Sequence, residues 1–221
     1  MEKPMKTIKL LSILSIALLS LISFNAAAER KVKITPDIGS IEVLHNGKKV
    51  IIQRHQDSNN TIDPNYAKTS RNCPPFCIRP MSLAPGVETI AELELLEYLK
   101  KLGSDANIMV IDSRTPDWVA RGTIAGAVNI PWTNLDAKKG ATELDIELIV
   151  VDEFGATYED DKWDFSNAKT LVLFCNGMWC GQSPRNIYSL LKLGYPADKL
   201  KWYRGGMQTW HVLGLSTVKP N

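Results

Sequence analysis

The chain has 221 residues, of which 44% are hydrophobic and 23% are charged, a composition typical of a globular protein. Lysine and arginine together number 26, against 24 for aspartate and glutamate, which gives a formal net charge of +2. So small an excess provides no basic field, and it argues against nucleic acid or a charged membrane surface as a partner.

The first residues have the pattern of a cleaved secretory signal. Three lysines precede an apolar run over residues 10–24, which leads into three alanines at 26–28. This pattern predicts a signal peptide over residues 1–28 and a secreted or periplasmic protein. The alternative is an uncleaved membrane anchor, but the run is short for a membrane-spanning helix, so we expect no stable membrane insertion. Cleavage removes three lysines and Glu2, so the formal charge falls from +2 to zero.

Residues 29–86 are interpreted as an N-terminal extension. Two β-rich runs, 40–44 and 49–53, flank Asn46-Gly47, which is a strong short-range signal for a β-hairpin. A polar stretch at residues 56–66 has no periodicity and predicts a loop. The segment that follows contains Cys73 and Cys77 and is too rich in proline to form a helix.

Predicted helices and strands alternate between residues 87 and 216. Short apolar runs predict strands at residues 107–112, 127–130, 171–175 and 200–203. The strands alternate with four predicted helices. The first is capped by Thr89 and ended by Gly103, and the second has Leu144, Leu148 and Val151 on one face before Gly155. The third is capped by Ser183, with Pro184 at its first position, and ends at Gly194, and a short fourth helix runs from Gly205-Gly206 through Trp210. This order predicts an α/β fold with a doubly wound, mostly parallel sheet, in which sites lie at the carboxyl ends of strands.

Cys175 lies at such a strand end and is the candidate nucleophile. A glycine-bearing loop, residues 176–182, joins it to the predicted helix. Backbone N–H groups and the positive end of the helix dipole face such a loop, and they favour the thiolate, which is the nucleophilic form of cysteine. The alternative is a core cysteine that happens to end a strand, because cysteine is often fully buried.

Three motifs resemble the rhodanese-like domain family. The first is Asp112-Ser-Arg114 at a strand end, and the second is the turn that runs from Gly122 through Gly126 to Pro131. The third is Gly205-Gly206 followed by Trp210, and Cys175 matches the catalytic cysteine of the family. The resemblance covers about residues 87–216, which is the predicted extent of the rhodanese-like domain.

The resemblance implies sulfur transfer of the thiosulfate or persulfide type. Cys175 would take a sulfane sulfur, hold it as a persulfide and pass it to an acceptor, with no metal or organic cofactor. The resemblance further implies structural roles for Asp112, Arg114, Gly122, Gly205 and Gly206. The candidate substrate-binding residues are those of the loop and the first turn of the helix: Asn176, Gly177, Met178, Trp179, Gly181, Gln182, Ser183 and Arg185.

The loop departs from the family pattern in length and charge. It is longer than the usual loop of the family and contains no arginine, so the nearest cation is Arg185 in the first turn of the helix. The Arg185 side chain either reaches an anionic donor or faces solvent. Met178 and Trp179 provide apolar bulk instead, which argues against small donors such as thiosulfate and for a protein or low-polarity thiol partner. A related cysteine phosphatase or arsenate reductase is not expected, because Phe174 and Gly181 stand where those enzymes have histidine and arginine.

The four cysteines form two close pairs, and an exported chain favours disulfides, with 73–77 and 175–180 as the first pairing of three. Cys180 is interpreted as a second catalytic residue, a resolving thiol for Cys175. The alternatives for it are a protective disulfide or a packed apolar residue. Cys73 and Cys77 are disulfide candidates, either as a local staple or as a redox relay to the loop. A four-cysteine metal site is the third and least favoured possibility.

Two other functions remain open from the sequence. One is thiol–disulfide oxidoreduction by the Cys175/Cys180 pair, and the other is a non-catalytic interaction module in which Met178 and Trp179 form a docking patch. The sequence names neither the sulfur donor nor the acceptor, which is a small molecule or a protein thiol, and it leaves the oligomeric state open.

Overall fold

The computed structural model describes residues 31–219, and the predicted signal peptide lies outside these residues. Its centre is a five-stranded sheet in which every neighbouring pair of strands is parallel. From edge to edge the strands are β3 (Glu88–Ile90), β9 (Leu200–Tyr203), β8 (Thr170–Phe174), β4 (Ile108–Asp112) and β5 (Val128–Asn129). Four of these strands were predicted from their apolar runs, and the α/β fold class is confirmed.

Helices cover both faces of the sheet: α1 (Glu92–Lys101), α2 (Pro116–Val119), α3 (Glu143–Leu148), α4 (Gln182–Leu193) and α5 (Gly206–Val212). The helices α1 and α5 pack into one hydrophobic cluster, and α4 packs into the other. The central strand β8 serves both, since Val172 and Phe174 belong to the first cluster and Leu171 and Leu173 to the second. This alternation explains why the strand reads as an unbroken apolar run.

The N-terminal extension contains the predicted hairpin, formed by β1 (Ser40–His45) and β2 (Lys48–Gln53). Asn46 and Gly47 form its turn, both with positive φ, as a tight hairpin turn requires. The buried side of the hairpin, Ile41, Val43 and Ile52, lies in the same hydrophobic cluster as α1 and α5. The extension therefore shares the core of the sheet.

The start of α1 differs from its prediction. Thr89 lies within β3, a strand that the sequence reading missed, and the helix begins two residues after that strand with Ala91 as its N-cap. The hydroxyl of Thr89 donates to the carbonyl of Met81 instead of capping the helix. Thr89 is suited to capping by residue type, but its hydroxyl is used to bind the segment that contains Met81.

The predicted apolar face of α3 is also wrong. Leu144 and Leu148 are 62% and 50% exposed, whereas Val150 is fully buried. After α3 the chain continues as a wider π-helical turn, Ile149–Glu153, which changes the side-chain period and turns Val150 toward the core. A short hairpin that was not predicted follows, with strands β6 (Thr157–Glu159) and β7 (Lys162–Asp164).

Within residues 31–219 no helix has the length and apolar character needed to cross a membrane. The same part of the chain holds no cluster of three or more histidine, cysteine or acidic side chains arranged for a metal ion.

Candidate active site

Cys175 directly follows the central strand β8 and begins the loop that leads to α4. The carboxyl end of a central strand lies in the middle of the sheet edge, where sites of parallel α/β folds form. The side chain is 2% exposed, and its neighbour Cys180 is 3% exposed. Both are free thiols, so the predicted 175–180 disulfide is absent from this structure.

Ser183 contacts the sulfur of Cys175. Its hydroxyl donates to Cys175 Sγ at 3.2 Å and accepts from Trp202 Nε1, also at 3.2 Å. The prediction of Ser183 as the N-cap of α4 is therefore wrong: the helix begins at Gln182, and Gly181 is its N-cap without a side-chain bond. The hydroxyl is engaged by the nucleophile and held in place by a buried tryptophan.

Hydrogen bonds favour the thiolate of Cys175. Burial raises the pKa of this thiol, but donors from Cys180, from the Ser183 hydroxyl and from the N–H groups of Ser183 and Gly177 outweigh burial and lower the pKa from 9.0 to about 7. The pKa of Cys180 is raised well above 9.0, first by burial and then by its hydrogen bond to Cys175. Cys175 is thus the nucleophile of the pair, and Cys180 the protonated donor.

The amino end of α5 supports the loop from behind. The N–H groups of Met207 and Gln208 donate to the carbonyl oxygens of Cys175 and Asn176, both at 2.9 Å. Gly206, with φ of +56°, makes this approach possible, because a Cβ at that position would overlap the carbonyl oxygen of Cys175. The Gly205-Gly206 motif therefore shapes the cysteine loop.

Asp112 and Arg114 form a buried ion pair beside the site. Arg114 Nη2 donates to Asp112 Oδ2 at 2.6 Å and to the carbonyl of Gly122 at 2.7 Å, and the pair is almost fully buried. Arg114 Nη1 also donates to the hydroxyl of Tyr66 at 2.7 Å. The arginine thereby fastens the strand end, the glycine turn and the extension to one another.

The extension covers the cysteine loop. Cys73 and Cys77 form a disulfide, as the first pairing predicted. Within that closed turn, Phe76 packs edge-on against Trp179 with ring centres 5.6 Å apart. The N–H of Arg79 donates to the carbonyl of Met178 at 2.8 Å. The disulfide segment thus contacts the cysteine loop through Phe76 and Arg79.

A cavity of about 280 Å³ lies between the extension, the loop and the turn after β5. Of the predicted site residues it is lined by Asn176, Trp179, Cys180, Gly181, Gln182 and Arg185. Cys180 lines it, and Cys175 does not.

Three predicted substrate-binding residues do not line this cavity. Met178 is 40% exposed outside it, Gly177 lies against Gln208, and Ser183 is buried beneath the nucleophile. Trp179, which was expected to form a docking patch with Met178, is covered by Phe76 and bonded through Nε1 to Gln208.

The sequence reading missed six residues that line the cavity: Arg71, Pro75, Phe76, Arg79, Trp118 and Trp132. The loop itself contains no arginine, as the sequence shows, but the extension adds Arg71 and Arg79 to Arg185 in the lining of the cavity. A signal for them was present in the chain, since Arg71 and Arg79 lie two residues outside Cys73 and Cys77.

Comparisons with known proteins agree with the motifs. The model of the rhodanese-like domain family matches residues 95–212, more than half of the chain. A search of curated proteins gave no match.

Solved structures that match part of this chain include the As–Sb reductase of Leishmania major, with 25% identity over 56% of this chain and 77% of that one, at a TM-score of 0.38. The thiosulfate sulfurtransferase of Pseudomonas aeruginosa has 18% identity over 61% of this chain and 21% of that one, at a TM-score of 0.40. A human single-domain sulfurtransferase has 22% identity over 56% of this chain and 95% of that one, at a TM-score of 0.33.

Proposed function

The chain belongs to the rhodanese-like domain family, and from that premise we propose that it is a sulfurtransferase that carries a sulfane sulfur on Cys175 as a persulfide. The observation that carries the proposal is the lowered pKa of Cys175, about 7, at the carboxyl end of the central strand. A thiol with this pKa is substantially ionised near neutral pH, which a nucleophile for sulfur transfer requires.

In the first half-reaction the Cys175 thiolate attacks the terminal sulfur of the donor. A bond forms between the two sulfurs, the bond from that sulfur to the rest of the donor breaks, and its electron pair leaves with the donor. The product is an anionic persulfide on Cys175. Donors from Ser183 and the loop N–H groups, which already stabilise the thiolate, are suited to stabilising this anion.

In the second half-reaction an acceptor thiolate attacks the terminal sulfur of the persulfide and regenerates the Cys175 thiolate. Cys180 offers a second route, in which its sulfur attacks Cys175 Sγ, releases hydrosulfide and leaves a 175–180 disulfide. The mutual influence of the two thiols on their pKa values supports this resolving role, because it requires the two side chains to be neighbours.

We also propose that the protein acts after export, with residues 1–28 removed and with residues 29–86 as an extension of the domain at 87–216. The Cys73–Cys77 disulfide supports an oxidising compartment, since disulfides are rare in the cytosol. The proposed partners are a small sulfur donor or a protein thiol, with neither nucleic acid nor stable membrane insertion involved.

The test is mass spectrometry of the alkylated protein, before and after incubation with thiosulfate or an organic persulfide. We expect one added sulfur on the Cys175 peptide, none in Cys175→Ser, and retained sulfur in the matched control Cys180→Ser. An added sulfur in Cys175→Ser, or none in the wild type with any donor, contradicts the proposal.

A second function, thiol–disulfide oxidoreduction, is favoured by one observation: Cys180, not Cys175, lines the cavity. This function predicts a 175–180 disulfide that forms with a disulfide substrate and is reversed by a dithiol. It also predicts that a sulfane-sulfur donor adds no sulfur to Cys175. The same mass spectra distinguish the two functions.

A further inference from the structure

The hydroxyl of Ser183 lies between the nucleophile and a buried tryptophan, and it makes one hydrogen bond to each. Its oxygen is 3.2 Å from Cys175 Sγ and 3.2 Å from Trp202 Nε1. A serine hydroxyl has a single proton and can accept as well as donate, whereas the indole N–H can only donate. The bond to Trp202 therefore uses a lone pair of the oxygen, and the proton is left for the sulfur of Cys175.

The fold brings Trp202 under this hydroxyl. Trp202 lies in β9, and the register of β9 against β8 pairs it with Leu173, two residues before the nucleophile. Ser183 lies in the first turn of α4, at helical spacing from Ile187 and Leu190, and all three are fully buried. Because Ile187, Leu190 and Trp202 belong to the same hydrophobic cluster, the tryptophan reaches the amino end of α4 from the sheet.

Burial strengthens both hydrogen bonds of the hydroxyl. Trp202 and Cys175 are 1% and 2% exposed, so water does not compete for the indole N–H or for the sulfur. In such an environment hydrogen bonds are stronger than at the surface, and a hydroxyl that accepts one bond becomes a better donor. A serine hydroxyl in a helix otherwise tends to bond to a nearby backbone carbonyl. The bond from Trp202 favours the orientation in which the proton faces Cys175 instead.

Resting on the proposed function, we propose that Trp202 is a positioning residue for sulfur transfer: it aims the Ser183 hydroxyl proton at Cys175 Sγ and stabilises that sulfur whenever it carries negative charge. Sγ carries this charge as the attacking thiolate and again as the leaving group of the second half-reaction. In that step an acceptor thiolate bonds to the terminal sulfur of the persulfide, the bond from the terminal sulfur to Sγ breaks, and its electron pair returns to Sγ. A hydrogen bond that strengthens as this charge develops speeds the departure.

The two half-reactions depend on this hydrogen bond in opposite ways. A thiol with a lower pKa leaves faster, whereas its thiolate is the weaker nucleophile. Loss of the Trp202 N–H should thus slow the transfer of sulfur to an acceptor, but it should not slow the loading of a fully ionised Cys175. A tryptophan that only filled the core would produce no such asymmetry.

The first test measures the ionisation of Cys175 from the ultraviolet absorbance of its thiolate, taken as the difference between each protein and the same protein with Cys175→Ser. In Trp202→Phe we expect the midpoint of this titration to rise by about half a unit to one unit. Benzothienylalanine incorporated at position 202 keeps the shape of the indole and lacks the N–H, so it should give the same rise with the core still filled. The matched control is Trp210→Phe, which removes another buried indole, one whose N–H donates to the carbonyl of Ser216. Its midpoint should equal that of the wild type.

The second test asks whether Trp202 acts through Ser183. Ser183→Ala removes the donor itself and should raise the midpoint by about one unit or more. Adding Trp202→Phe to Ser183→Ala should then change the midpoint no further, because the tryptophan has lost its intermediary. Additive shifts, or an unchanged midpoint in both the Trp202→Phe and the benzothienylalanine proteins, overturn the proposal.

The third test follows single turnovers of the wild type and the benzothienylalanine protein, with thiosulfate or an organic persulfide as donor and β-mercaptoethanol as acceptor. At an alkaline pH that ionises Cys175 in both proteins, we expect loading to be no slower and release to be about twofold to threefold slower without the N–H. Equal release rates overturn the leaving-group role. If a donor loads Cys175 but the midpoint does not shift, the role of Trp202 is wrong and sulfur transfer stands. If the midpoint shifts but no donor loads Cys175, sulfur transfer is wrong and the leaving-group role fails with it.

Discussion

Replacing Cys180 by alanine removes the thiol that hydrogen-bonds to the Cys175 sulfur. With a pKa of about 7, roughly half of the Cys175 thiols are ionised at neutral pH. A hydrogen bond to a charged group contributes about 1.5 kcal/mol or more. Its loss changes the ratio of thiolate to thiol about tenfold, since 1.36 kcal/mol corresponds to one pKa unit. Relative to the alkaline plateau of the same protein, we expect the rate of Cys175 alkylation at neutral pH to be about fivefold lower in Cys180→Ala than in the wild type.

The assay is the pH profile of iodoacetamide labelling at Cys175, read by peptide mass spectrometry. The midpoint of the profile reports the hydrogen bond, and its alkaline plateau reports access to the sulfur, which Cys180→Ala should increase because Cys180 lies at the cavity wall. Cys180→Ser is the matched control: its hydroxyl is a donor and should keep the midpoint near that of the wild type. An unchanged midpoint in Cys180→Ala, or equal midpoints in the two variants, refutes this account of the lowered pKa.

Three further predictions concern stability, measured by urea unfolding. Gly206→Ala should lower the free energy of unfolding by about 1–3 kcal/mol more than Gly47→Ala does. Both glycines have positive φ, but of the two only Gly206 would bring a Cβ into overlap with other atoms. Equal losses of stability in the two variants would contradict the steric argument. Asp112→Asn should cost about 3–5 kcal/mol, because it leaves the Arg114 guanidinium buried without its counter-ion; a loss under about 1 kcal/mol, as at exposed pairs, would contradict it. The free energy of unfolding of the wild type, compared with that of Cys175→Ser, should rise by up to ~2.7 kcal/mol between pH about 7 and pH 9.0, because the folded state holds the thiolate and the unfolded state does not. This added stability is lost as the pH falls through about 7. A difference between the two proteins that does not change with pH would contradict the lowered pKa.

The fold was largely accessible from the sequence where local patterns decide it. The strand at residues 171–175 reads as a continuous apolar run because its side chains serve both core clusters, and Asn46-Gly47 determines a hairpin turn through backbone conformation alone. The errors occurred where tertiary contacts decide. Ser183 and Thr89 are good helix caps by residue type, but their hydroxyls bond to Cys175 and to Met81 instead.

The position of the nucleophile was also accessible, because a parallel sheet fixes where strand ends lie. The chemistry of the cavity was not. Arg79 meets Gly181 across about a hundred residues of chain, and only the docking of the extension brings them together. Similarly, no local pattern indicates that Cys180 lines the cavity and that Cys175 does not.

The shared core of the hairpin and the sheet makes this protein a poor candidate for modular exchange. A chain cut back to residues 95–212, the part that the family model covers, would leave Arg114 without the hydroxyl of Tyr66 and would expose the apolar side of α1. It would also lose the cationic wall of the cavity. Recombination that exchanged the catalytic part for that of a relative would thus disrupt the shared core and the cavity wall together, so the extension and the cysteine loop are expected to be inherited as one unit.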